Sequence, residues 1–164
     1  MQAILPKTSY HHGETLAATK RACLSQVTAR LAVCGPTLAR ILLGLIFAVF
    51  GTCGLLGLLP PPPPTLPAGA LAFGTAVFKT GYLFQLIKGT EAVVGLLLLA
   101  NRFVPLALTV LAPVVINIIA FHVFLDPSGL AIPLLALALH VYLAWSYRSV
   151  YRSLLAVRAV PTVA

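Results

Sequence analysis

The chain has 164 residues, of which 60% are apolar and only 9% charged, and its mean hydropathy is strongly positive. A soluble domain carries about 25% charged residues, so this composition argues against a water-soluble enzyme or binding module and predicts a single membrane-embedded helical domain. The formal net charge of +8 does not point to nucleic acid, because most Lys and Arg residues stand where apolar runs end rather than along one polar face.

In chain order, residues 1–36 form a basic segment expected at the cytoplasmic side. Between Glu14 and Val33, Leu16, Leu24, Val27 and Leu31 fall near one helical face beside Lys20, Arg21 and Arg30. That pattern fits a helix lying on anionic lipid, and equally a basic tail that only sets topology. His11 and His12 are a weak metal signal, and no metal site is expected. The first span reads 41–59, ILLGLIFAVFGTCGLLGLL, and stops at Pro60 to Pro64, where missing backbone donors and fixed φ forbid a helix. It begins too deep for an ordinary signal peptide and no clear cleavage motif follows, so it is read as a permanent anchor. The uncharged stretch Thr65 to Phe78 suits a short interfacial or re-entrant helix.

The second span, 81–100, carries Lys88 and Glu91 inside it. The third, 103–125, contains Pro105 and Pro113, which a membrane helix tolerates with local kinks. Asp126-Pro127-Ser128-Gly129 is a turn by composition, and the fourth span covers 130–147. The bundle thus occupies 37–152 and a cytoplasmic tail 153–164. The predicted fold class is an all-α membrane protein, a four-transmembrane-helix bundle.

Lys20, Arg21, Arg30 and Arg40 precede span one, Arg102 joins spans two and three, and Arg148, Arg152 and Arg158 follow span four, against Lys79 alone in the opposite loops. Eight basic residues against one place both termini in the cytoplasm, N-in and C-in. Trp145, Tyr147 and Tyr151 at one interface and Tyr82 at the other agree with that orientation.

Lys88 and Glu91 are one turn apart, at about 10 Å depth and near the bilayer middle respectively. Isolated charges there are expensive, so the two should face the interior and pair. Such a pair either locks helices together or handles a proton or ligand; Glu91 and Lys88 are the candidate catalytic residues. The same arithmetic sets Asn117 at about 12 Å, His140 near the middle and His122 shallower, with Gln85 one turn before Lys88. Gln85, Lys88, Glu91, Asn117, His122 and His140 are therefore the candidate lining of a polar pocket in the outer half of the bundle. Taken singly, Asn117 and His140 are better explained as interhelical hydrogen bonders. A haem held by His122 and His140 is disfavoured, since their heights differ by about 10 Å. Cys23, Cys34 and Cys53 form no C-x-x-C pair, and the chain has no G-x-S-x-G, P-loop or H-E-x-x-H motif.

The block TGYLFQLIKGTEAVVGLLLLANRFVPLAL from Thr80 to Leu108, followed by APVVINIIAFHVFLDPSG from Ala112 to Gly129, resembles the DoxX family of small bacterial membrane proteins. The resemblance covers about Arg40 to Arg152, leaving the N-terminal segment and the five-proline loop outside it. It implies a four-helix bundle in the bacterial inner membrane. The wider group includes a subunit of thiosulfate:quinone oxidoreductase and a partner of secreted superoxide dismutase and a sulfurtransferase. The implied role is a membrane subunit of a quinone- or sulfur-linked redox complex, with quinone as the candidate cofactor, periplasmic or membrane redox proteins as partners, and self-association open. The missing dithiol argues against thiol chemistry by this chain. The alternatives are a scaffold or assembly protein with no ligand and a small transporter, the latter weakened by the lack of a recognisable inverted repeat.

Overall fold

A computed structural model describes residues 34–154. The readings made on residues 1–33, including the interfacial helix and His11 and His12, and on the tail beyond 154 lie outside the described residues. By contact the chain divides into two compact units, 1–37 and 38–164, and the site lies in the second.

The described residues are helical, with no strand. The order is α1 (Cys34–Leu55), α2 (Ala68–Lys79), α3 (Leu83–Leu99), α4 (Val104–Phe124), a 3-10 turn (Pro127–Gly129), α5 (Ala131–Ser146) and α6 (Arg148–Leu154). The first span was expected to run to Leu59, but α1 ends earlier. Gly57 takes φ +67°, the Leu58 N–H reaches the Cys53 carbonyl at 2.8 Å and the Gly57 N–H that of Gly54 at 3.3 Å. This is a Schellman cap, which only a residue at ease with left-handed φ completes, and it closes the helix before the prolines are reached. The uncharged stretch after the prolines is a helix, α2, which meets α3 at 92° across a turn at Gly81.

The α3–α4 link is equally tight. Asn101 and Phe103 both adopt positive φ, and the Arg102 N–H returns to the Leu97 carbonyl at 2.9 Å. Two further carbonyls at this end, those of Leu98 and Leu99, accept from the guanidinium of Arg40 on α1. Arg40 is buried, so a residue read as a topology marker also caps α3, placing its cation at the negative end of the helix dipole. At the same end of the molecule the Tyr151 hydroxyl of α6 donates to the Pro105 carbonyl of α4 at 2.8 Å. Burial pushes the Tyr151 phenol up from its ordinary value, and a hydrogen bond with Thr109 pulls it partly back.

The core is a seam of aliphatic side chains centred on α4, with Leu43 and Phe47 of α1, Leu98 of α3, Leu108 and Leu111 of α4 and Leu143 of α5 at its heart. Outside that seam the helices are apolar and uncovered: Phe124 is 81% exposed and Ile116 66%. Only 28% of the most apolar stretch of α4 is buried inside the protein, a surface that water does not favour and lipid does. Helices α1 and α4 are each long and apolar enough to cross a membrane. The bent pair α2 and α3 passes the same test together, which makes two spans or three; α5 is apolar but has only 16 residues.

Candidate functional site

The site begins with the closeness of α1 and α3. A Cβ placed on Gly51 would stand 2.4 Å from the Ala92 nitrogen, and one on Gly95 2.2 Å from the Ala48 nitrogen. No larger residue fits at either position, and the two backbones come into direct contact, as small residues allow in membrane bundles. One turn further along α1, Gly54 leaves the space filled by the methylene stem of Lys88, whose Cδ would be 2.6 Å from a Cβ there. The stem is thus laid on the face of α1, and the ammonium swings to Glu91, with Nζ 2.8 Å from Oε2. The Glu91 side chain is only 3% exposed and that of Lys88 18%. Burying an unpaired charge is costly, and one turn of helix is the spacing that brings a lysine and a glutamate together.

This ion pair forms part of the wall of a half-open cavity of about 490 Å³ bordered by α1, α2, α3, α4 and the start of α5. The other polar side chains on its wall are Asn117 and His122. The remainder is apolar and rich in aromatic rings: of the eight phenylalanines in the chain, six line it, namely Phe47, Phe50, Phe73, Phe78, Phe84 and Phe121. Phe78 and Phe84 stack across the α2–α3 bend with centroids 4.1 Å apart, and Phe73 of α2 meets Phe121 of α4 at 5.6 Å. Helix α2 is therefore one wall of the cavity. A volume of this size, largely apolar with a few converging polar groups, is the usual form of a small-molecule site.

His122 is fixed from the α4–α5 link. Its Nδ1 lies 3.0 Å from the Asp126 carbonyl oxygen, which only accepts, so Nδ1 is the nitrogen that donates there. Asp126 is held in turn by the Ser128 hydroxyl at 2.5 Å, and Gly129 leaves room for the ring, since a Cβ there would be 2.5 Å from His122 Cε1. Asn117 has no hydrogen bond from any described residue, so both ends of its carboxamide are available.

Four of the six sequence candidates thus share the cavity: Lys88, Glu91, Asn117 and His122. Gln85 is exposed and is not on its wall, and His140 is buried one turn beyond Ala136, away from the lining. The His140 Nδ1 has no partner among the described residues. What reading the sequence missed is the aromatic lining, the use of α2 as a wall and the Asp126–Ser128 support of His122. The last had a signal in the Asp-Pro-Ser-Gly turn four residues after His122. No group of three or more His, Cys, Asp or Glu side chains suited to a metal occurs among the described residues. No family model, curated protein or solved structure matches the chain significantly.

Proposed function

We propose that the chain is a DoxX-like, multi-pass protein of the bacterial inner membrane, a four-span bundle with both termini in the cytoplasm. In this reading it serves as a membrane subunit of a quinone- or sulfur-linked redox complex. The cavity offers its polar wall to a quinone headgroup or a small sulfur species. Lys88 donates a hydrogen bond to a ligand oxygen while Glu91 holds the ammonium in place, Asn117 donates and accepts, and His122 accepts. The electrons belong to partner proteins, since this chain has no dithiol and no motif for redox chemistry of its own.

The observation that carries the reading is the convergence of a buried ion pair and two further polar side chains on one aromatic-lined cavity of about 490 Å³. The test is titration of the protein in lipid nanodiscs with a tail-less benzoquinone and with thiosulfate. Wild type is expected to bind one of them saturably, and Asn117→Leu to weaken that binding about tenfold, the loss of one good hydrogen bond. Absence of saturable binding to the wild type defeats the proposal. Glu91→Gln that folds correctly and leaves partner-dependent electron transfer intact removes the ion pair from the chemistry.

A second reading, a scaffold without a ligand, is favoured by the packing of Lys88 on Gly54 and of the Glu91 segment on Gly51, which gives the ion pair a purely mechanical task. Pull-down separates the two. A partner recovered with Lys88→Met/Glu91→Leu protein in the same amount as with wild type favours scaffolding.

A further inference from the structure

A second recess, of about 230 Å³, lies between α2 and α4 and is lined by Phe73, Asn117, Ala120, Phe121, Phe124 and Leu125. It shares Phe73, Asn117 and Phe121 with the main cavity, so the two spaces adjoin at the Phe73–Phe121 pair, with Asn117 at the junction. Asn117 is the only polar side chain on its wall. The recess reaches the outer face of the helices, where Phe124 is 81% exposed. A surface of that kind meets acyl chains rather than water.

Charge inside the main cavity narrows what enters. The Lys88 ammonium is already matched by Glu91 at 2.8 Å, and the Glu91 side chain is 3% exposed. An anionic head that captured Lys88 would strand that carboxylate, and a cationic head that captured Glu91 would strand the ammonium; either exchange is penalised in a dry interior. An uncharged head with hydrogen-bonding oxygens leaves the pair intact and still meets Lys88, Asn117 and His122.

We propose that the cavity is filled sideways from the bilayer by an uncharged amphiphile, whose head lies among Lys88, Asn117 and His122 and whose apolar tail runs past Asn117 and the Phe73–Phe121 pair into the α2–α4 recess. This rests on the cavity being a ligand site and adds the ligand class, the route and the place of the tail.

The experiment uses the full chain in phosphatidylcholine nanodiscs with two tritiated probes, a tail-less 1,4-benzoquinone and its decyl homologue, read by scintillation proximity. Wild type is expected to bind the decyl probe about tenfold more tightly than the tail-less one at equal membrane concentration. Ala120→Trp, which fills the recess without touching the main cavity, is expected to abolish that difference while leaving the tail-less probe within about twofold. A difference that survives Ala120→Trp, or one never seen in wild type, overturns the tail site. Absence of saturable binding of both the tail-less probe and thiosulfate by wild type overturns the cavity reading as well, so the two failures are told apart. Should Ala120→Trp not fold, a decyl probe with a diazirine at the tail end is photolysed on wild type. Labelling of residues 120–125 upholds the recess, and labelling confined to Phe47 and Phe50 overturns it. Finally, 1-decanol should displace the decyl probe at about a tenth of the membrane concentration that decanoate needs, and equal potency overturns the exclusion of charged heads.

Discussion

The two sides of α3 are packed in opposite ways. Toward α1 the backbones touch through Gly51 and Gly95, and at the C-terminal end Arg40 binds the last carbonyls of α3. Toward α2 the chain turns through 92°, and a Cβ added at Gly74 of α2 would meet nothing within 4 Å. The same residue type therefore serves closeness on one side and openness on the other. A close backbone contact at small residues holds the ion pair, and an aromatic wall borders the space in front of it. Fixed polar groups beside an apolar wall with free space in front of it are what a binding site needs.

Several substitutions break or sharpen this contrast. The largest effect is expected on the tight side: Gly95→Leu drives side-chain atoms into the α1 backbone and should cost more than about 4 kcal/mol, read as loss of the folded monomer on size exclusion in detergent. Next comes Glu91→Leu, which leaves the Lys88 ammonium unpaired at the cavity wall. A loss of about 2 to 4 kcal/mol is expected in chemical unfolding, with Lys88→Met/Glu91→Leu recovering most of it; an additive double variant would show that the two charges are not coupled. Arg40→Ala removes charge-assisted hydrogen bonds to two α3 carbonyls and should cost about 2 kcal/mol. Gly74→Ala, on the open side, should be the mildest and of opposite sign, stabilising α2 by about 0.5 to 1 kcal/mol through its backbone entropy; measurable destabilisation would mean that α2 is closely packed after all.

The helices were legible because apolar runs of span length and a row of prolines leave few other structures. The bounds were less so, because capping acts at single residues: Gly57 ended α1 before the prolines did, and nothing in the run ILLGLIFAVFGTCGLLGLL marks Gly57 from its other glycines. The site was half legible. Depth along a helix follows from counting, which brought Lys88, Glu91, Asn117 and His122 to compatible levels, but counting alone ignores rotation about the axis. Gln85 is two steps of three from Glu91, about 120° round α3, and faces elsewhere. His140 is one turn past Ala136, about 6 Å further along α5 than that part of the cavity wall. Nothing in the sequence singled out the phenylalanines. Their convergence depends on the path of α2 after the prolines, and no local pattern encodes that path.

The 16-residue α5 has a consequence for the membrane around it. At 1.5 Å per residue it is about 24 Å long, against a hydrocarbon thickness of about 30 Å. At its end the Arg148 guanidinium lies 5.2 Å over the Trp145 ring, a combination that favours the headgroup level. Were α5 the fourth span of the proposed bundle, it would fall short of the bilayer, while the 21-residue α4 matches the full width. In that arrangement lipid chain length would act as a control on the protein: short-chain lipids would relieve the mismatch at α5, and long-chain lipids would draw it toward neighbours that cover the gap.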